Sequence, residues 1–338
     1  MDKGRLFRVI CGLMIAIIVG ILIVLFVSDD DNTIPEGSID MTADYSATSD
    51  WMSYLPDDKY LSEITIPGTH NSCARNVAFG YAMRNQNTDV SEQLENGYRY
   101  LDFRIALEET DENSDIVMVH KLAKCHVSGS FFSEYLYFDD VMKDVYSFLE
   151  EHPSESVIIN IKKEDDAHSV AEIQKLLLEK INQNKDKWYT ENEIPTLGHT
   201  RGKAVLCTRF EDANATGTTG LNMIWSEQDN TTPADLPYDL YVIDDYRLWV
   251  QDRYKYSVED KFDAVVDGLE NCEADENTVF LNFLSTSGDG PVGHPYGYAK
   301  TLNGLLMEYN LKSNTSYGTV IVDFGDANLA RHIYYSNF

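Results

Sequence analysis

The sequence predicts an α/β fold: a (β/α) barrel of the TIM type with seven or eight strands, preceded by one N-terminal transmembrane helix. Three observations carry that prediction. Apolar, β-branched runs alternate with amphipathic helical stripes from about Trp51 to the C-terminus. No glycine-rich dinucleotide or P-loop fingerprint follows any strand, which disfavours an open doubly wound sheet. Charged residues close one apolar run after another, as expected where a barrel gathers its functional groups at the C-terminal ends of its strands.

Val9 to Val27 is an unbroken uncharged run that would span about 28 Å as a helix, close to one bilayer core. Lys3, Arg5 and Arg8 precede it and Asp29, Asp30 and Asp31 follow. The positive-inside rule therefore keeps residues 1–8 in the cytoplasm and exports the rest. The run is long for a signal-peptide core and no small-x-small cleavage site follows it, so the expectation is a signal anchor; cleavage would instead give a secreted protein. Residues 28–50, polar and without periodicity, form a tether. Residues 51–338 are long enough for one large domain with a substantial core.

Within that domain, Leu61 to Ser72 (LSEITIPGTHNS) reads as a strand broken at Pro67-Gly68, with a turn that presents His70. A short helix over 89–96, stopped by Gly97, leads into Tyr98 to Ile105 (YRYLDFRI), which ends its strand on Asp102 and Arg104. Ile116 to His120 (IVMVH) aims a second histidine from the same end of a parallel sheet. Phe138, Val141, Met142, Val145, Phe148 and Leu149 make a helical stripe closed by Pro153. Strands at 157–161, 204–209, 248–252, 280–284 and 319–324 then alternate with helices at 169–183, 258–269, 298–309 and 327–335. The strand ends collect His70, Arg104, His120, Lys162, Arg209, Asp252 and Asp323. A single histidine of this kind is most often structural, and the repetition along one sheet end shifts that balance.

A net charge of −29 excludes nucleic acid, which needs a basic face, and weakens electrostatic attraction to anionic lipid. An anionic substrate must then be held by locally placed cations. With Cys11 in the apolar run, Cys73, Cys125, Cys207 and Cys272 remain in the exported part, and no spacing reads as a zinc site. Cys73 and Cys125 follow the two histidines closely and are the candidate disulfide pair. Two histidines suit general base and general acid in an in-line displacement at phosphorus. Arg104 would clamp the phosphoryl oxygens, and Asp323, ending VIVDF, would fix the tautomer of one histidine.

These stretches together resemble the bacterial phosphatidylinositol-specific phospholipases C of the X-domain superfamily. ITIPGTHNS is similar to that family's ISIPGTHDS turn, YLDFRI to its FDIR strand, and IVMVH to its second histidine strand. The likeness continues through NIKKE, KAVLCTRF, VQDRYK, LNF and VIVDF, so it covers the whole stretch 51–338. It implies a distorted (β/α)8 barrel, a catalytic domain that cleaves phosphatidylinositol to diacylglycerol and inositol 1,2-cyclic phosphate without a cofactor. By position, His70 is the base on the inositol 2-hydroxyl, backed by Asp323, and His120 is the acid. Lys162, Arg209 and Asp252 hydrogen-bond inositol hydroxyls and Tyr254 stacks on the ring. Strand alternation favours Lys162 over Lys163, because Asn160, Lys162 and Glu164 share a face.

Three departures stand out: Asn71 where the bacterial branch has aspartate, Lys121 where glycine commonly follows the second histidine, and no tryptophan near Gly290 to Gly293. Val77, Phe79, Tyr81 and Met83 are either a substitute apolar rim or a buried short helix. In the calcium-dependent branch an asparagine at the Asn71 position is a metal ligand and acidic partners lie two residues apart on the next strand. Here Asp102 is followed at that spacing by Arg104, which cannot ligate a cation, so no metal is expected. Two other readings remain. One is a glycerophosphodiester phosphodiesterase, whose His-Arg and Glu-x-Asp ligand pattern is replaced here by Asp102-Phe103-Arg104. The other is an inositol-lipid binding protein with impaired catalysis, which Asn71 keeps open.

Overall fold

The computed structural model describes residues 48–109, 114–130, 133–164, 166–210 and 220–338. The run Val9 to Val27 and all but the end of the polar tether lie outside the described residues. Among the described residues no helix is long and apolar enough to cross a membrane.

One twelve-stranded sheet organises the chain. Its strands are β1 (Ile66–Thr69), β2 (Tyr100–Glu109), β3 (Ser114–His120), β4 (Ala123–Lys124), β5 (Ser156–Lys163), β6 (Trp188–Tyr189), β7 (Lys203–Thr208), β8 (Leu221–Asn222), β9 (Asp239–Ile243), β10 (Tyr246–Gln251), β11 (Thr278–Phe283) and β12 (Thr319–Val322). Strands β7, β5, β2, β1, β12, β11 and β10 lie side by side in that order, every neighbouring pair parallel. The sheet curls into a barrel that the ladder does not close. Between β8 and β10 the gap is spanned by side chains instead: Tyr246 Oη donates to Asn222 O at 2.8 Å and Gln228 Nε2 to Val250 O at 3.1 Å. This is the distortion of the predicted barrel.

The described α-helices are α1 (Gly80–Met83), α2 (Val90–Glu95), α3 (Phe138–Glu151), α4 (Val170–Asn182), α5 (Leu197–Thr200), α6 (Val258–Asn271), α7 (Pro295–Glu308) and α8 (Ala327–Tyr334), with short 3-10 turns beside them. Side-chain caps start several of them: Asp89, Ser257 and Asp326 each accept an orphan amide, and Ser169 forms a capping box with Glu172.

Period-two alternation sorts the strand residues between two cores. On β2, β5 and β7 the residues Leu101, Phe103, Ile159, Ile161 and Leu206 face the outer helices. Tyr100, Ile158, Val205 and Cys207 face inward with Ile66, Leu248, Val250, Leu281, Phe283 and Ile321. Burying each large apolar side chain stabilises the fold by about 1.5–3 kcal/mol.

Two expectations need correction. The strand carrying His120 is antiparallel to β2, pairing Ile105 with Met118, and β2 does not end at Arg104 but runs on to Glu109. β2 is therefore long enough to serve the barrel with its first half and a hairpin with its second, and the hairpin returns His120 to the mouth. Cys73 and Cys125 share one buried cluster, yet both are free thiols, and burial raises both pKa values, the Cys125 thiol to about 12. Cys207 and Cys272 are also free.

Candidate active site

The inward row of each parallel strand changes from apolar to charged as it reaches the C-terminal end. On β1 the sequence Ile66, Gly68, His70 follows one face; on β12 it is Ile321, then Asp323; on β10 it is Leu248, Val250, Asp252. The same two-residue step, taken twice, links Ile158 through Asn160 to Lys162 on β5 and Val205 through Cys207 to Arg209 beyond β7. The apolar members are buried in the interior cluster, and the charged members line one cavity of about 280 Å³. Gly68 is required in this row, because a Cβ there would meet Tyr100 at 2.9 Å.

At the centre, His70 Nδ1 lies 2.8 Å from Asp323 Oδ1 and its Nε2 lies 2.9 Å from Arg104 Nη2. A guanidinium only donates, so Nε2 is the acceptor and the proton sits on Nδ1, shared with Asp323. Asp323 is held in turn by Asn85 Nδ2, 3.1 Å from both carboxylate oxygens. Arg104 is fixed from two sides: Asp102 accepts from Nε and Nη2 at 3.2 and 3.1 Å, and Glu164 accepts from Nη1 at 2.6 Å. Burial is the largest single influence on both acids and opposes their ionisation, but Arg104 outweighs it together with His70 and the Asn71 amide at Asp102, and with Lys162, His120 and the Lys121 amide at Glu164. Asp102 stays below the usual carboxylate range and Glu164 falls to about 2.

His120 is buried, and its Nδ1 donates to Met83 O at 2.6 Å. Burial, and then the charge of Arg104, push its pKa down to about 3. In the free protein His120 is therefore a neutral ring, and on each histidine Nδ1 is engaged by the protein, which leaves Nε2 as the nitrogen for proton transfer.

The far side of the cavity is built more loosely. Arg209 stacks its guanidinium 3.5 Å above the Trp225 ring, whose Nε1 donates to Asp252 Oδ2 at 3.1 Å. Arg209 stands 3.6 Å from Asp252 and 3.5 Å from Glu227, and its buried Nη2 makes no hydrogen bond. Lys162 Nζ donates to Glu227 at 3.1 Å, and Tyr254 lines the same wall with its pKa raised by burial and by Glu227. A polyhydroxylated ligand would find both donors and acceptors here, with Arg209 Nη2 unsatisfied in its absence.

The arginine and lysine residues lining the cavity are Arg104, Lys121, Lys162 and Arg209; its carboxylates are Glu164, Glu227, Asp252 and Asp323. Four balance four, so the site does not share the acidity of the whole chain. All the predicted site residues but Asn71 and Asp102 line the cavity. Asp102 sits behind Arg104, and Asn71 is buried, donating from Nδ2 to Asn85 Oδ1 at 3.2 Å while its Oδ1 has no partner. Of the proposed apolar rim, Phe79 is exposed, Tyr81 stacks on His294 at 4.1 Å, and the backbone of Met83 serves His120.

Sequence reasoning missed four contributors: Asn85, Lys121 as a lining group, Trp225 and Glu227. Glu164 was placed on the face of Lys162 but given no role. Its i+2 spacing from Lys162 was the available signal; for Asn85, Trp225 and Glu227, all in loops, there was none.

A parallel barrel whose mouth sets two histidines around an arginine, beside a wall suited to hydroxyl groups, defines a phosphodiester-handling enzyme architecture. Residues 45–210 match the family model described as phosphatidylinositol-specific phospholipase C, X domain. The chain is 29% identical over 299 residues to 1-phosphatidylinositol phosphodiesterase of Staphylococcus aureus, covering 81% of this chain and 87% of that protein. It is 27% identical over 307 residues to the Listeria monocytogenes protein of the same name, covering 86% and 85%. A double mutant of the phosphatidylinositol-specific phospholipase C from S. aureus superposes with a TM-score of 0.71 at 25% identity, over 86% of this chain and 97% of that one. The chain is thus similar over most of its length to bacterial phosphatidylinositol-specific phospholipases C, with the match to their X domain falling on residues 45–210.

Proposed function

We propose that the chain is a phosphatidylinositol diacylglycerol-lyase, cleaving phosphatidylinositol or a glycosylphosphatidylinositol anchor to diacylglycerol and inositol 1,2-cyclic phosphate. The names of the S. aureus and L. monocytogenes relatives support the substrate class. The observation that carries the mechanism is the Asp323, His70, Arg104 chain of contacts with His120 across the same cavity. His70 Nε2 accepts the inositol 2-hydroxyl proton as that oxygen bonds to phosphorus. The bond from phosphorus to the diacylglycerol oxygen breaks, and His120 Nε2–H gives that oxygen its proton. The nucleophile belongs to the substrate, so orientation replaces a covalent enzyme intermediate.

Arg104 Nη2 occupies the Nε2 lone pair of His70 in the resting site. A bound phosphoryl oxygen would draw that donor away and release the base, while the guanidinium meets the charge that grows on phosphorus. Lys162, Arg209, Asp252 and Tyr254 hold the inositol ring. The full-length chain in detergent mixed micelles tests this: ³¹P NMR should show phosphatidylinositol converted to a cyclic phosphodiester, and no turnover refutes the assignment.

We further propose that residues 9–27 anchor the protein in a membrane with residues 1–8 cytoplasmic and 51–338 outside. The uncharged run and its flanking charges support this. Resistance to carbonate extraction tests the anchor, and a mature N-terminus beyond residue 27 would mean secretion instead.

A further inference from the structure

The residues that begin the described domain dock on the end of the barrel opposite the cavity. Trp51 stacks on Tyr334, at the C-terminal end of α8, with ring centroids 4.9 Å apart, and its Nε1 donates to Gly97 O at 2.9 Å. Arg99, just before β2, donates Nη2 to the carbonyls of Thr48 and Ser49 at 3.3 and 2.8 Å. Its Nε pairs at 2.9 Å with Glu155, just before β5, and Glu155 Oε1 accepts from Met52 N at 3.1 Å. Arg201, ahead of β7, donates Nη1 to Met52 O at 3.1 Å. Arg99 and Glu155 are fully buried, so this floor is a fixed part of the fold. His70, Arg209, Asp252 and Asp323 follow the other ends of their strands.

From these opposed positions we infer that the protein, held by the anchor proposed above, presents its cavity away from its own bilayer and takes inositol phospholipid from an apposed membrane. Ser28 to Ala47, twenty residues, separate the apolar run from the floor. A chain of that length reaches about 70 Å at full extension and about 25 Å as a relaxed coil. A domain of this size is about 50 Å across. Turning the mouth onto the anchoring bilayer lifts the floor by that diameter, which twenty residues would span only when drawn out to about twice a relaxed coil's length. The net charge of −29 opposes pressing the domain flat on an anionic surface.

The test uses the full-length chain in vesicles, with a donor dye on Tyr54→Cys at the floor or on Leu122→Cys beside His120; the native side chains are 54% and 96% exposed. Cys272→Ser in both removes the most accessible described native thiol. Energy transfer to an acceptor lipid should be several-fold stronger from position 54, and equal or stronger transfer from position 122 overturns the inference without reference to activity. Phosphatidylinositol in separate vesicles should be cleaved several-fold faster than the same lipid in the protein's own vesicles. Forty Gly/Ser residues inserted after Ala47 should raise only the own-vesicle rate, by about tenfold. An own-vesicle rate that already matches, and that the insertion does not change, contradicts the inference. Absence of turnover even in micelles would instead refute the proposed activity, with the dye result still deciding the orientation.

Discussion

Arg104 Nη2 donates to Nε2 of His70 across 2.9 Å. The group assigned to stabilise the phosphoryl charge thus rests on the group assigned to remove the proton, and substrate binding must separate them. Because the contact needs a two-pronged donor held by Asp102 and Glu164, Arg104→Lys should lower kcat/KM by about 10²-fold or more while the fold persists. Activity should survive excess EDTA, since Arg104 stands where a metal-dependent site would need a second acidic ligand. Loss of turnover on chelation, restored by calcium, would make Asn71 a ligand and remove Arg104 from its role.

Glu164 gains from the structure a role that the sequence reading did not give it, as a carboxylate partner of Arg104. Glu164→Gln weakens the charge-assisted contact to Arg104, and a loss of about 10- to 100-fold in kcat is expected from a bond of that class. Its folded pKa of about 2 lies below the ordinary value. The stabilisation is therefore present above about pH 4.5 and is lost as pH falls towards 2. Urea melts at pH 7 and pH 3 should show a smaller acid-induced loss for Glu164→Gln than for wild type; equal losses would deny the ion pair its weight.

The strand ends were legible because a two-residue alternation gives each inward position a side, and a charged residue after Ile66, Val205, Val250 or Ile321 then has only the mouth to occupy. The hairpin that brings His120 back was not legible as antiparallel: IVMVH has the same pattern in either direction, and the pairing of Ile105 with Met118 is a tertiary fact. Asn85, Trp225 and Glu227 come from loops, where position follows from packing rather than from a period. The disulfide expectation failed because neighbouring sequence positions place Cys73 and Cys125 in one core without requiring a bond.

His120 is neutral in the free site, with a pKa of about 3 caused first by burial and then by Arg104. A bound phosphodiester anion offsets that positive charge and raises the pKa, so the acid is loaded as substrate binds. Calorimetry with a non-hydrolysable phosphonate analogue, in buffers of different ionisation enthalpy at pH 7, should show net proton uptake that His120→Gln abolishes. Affinity should fall as pH rises through the bound-state pKa. Binding without proton uptake would leave His120 unable to act as the acid.

Specificity should reside in Arg209, Asp252 and Tyr254, whose polar groups go unpaired when a head group lacks hydroxyls. Phosphatidylinositol should exceed phosphatidylcholine in kcat/KM by at least about 10³-fold, and Asp252→Ala should cost about 10- to 100-fold on phosphatidylinositol. Comparable cleavage of the two lipids by wild type would refute this.

The central claim is that His70 and His120 pass protons while the inositol 2-hydroxyl attacks phosphorus. Turnover of phosphatidylinositol in H₂¹⁸O, followed by ³¹P NMR, tests it most directly. Wild type should first release inositol 1,2-cyclic phosphate without ¹⁸O, and His70→Ala and His120→Ala should each be slower by at least about 10²-fold. Inositol 1-phosphate formed directly with ¹⁸O on phosphorus, or either alanine variant above a tenth of the wild-type rate, would contradict it.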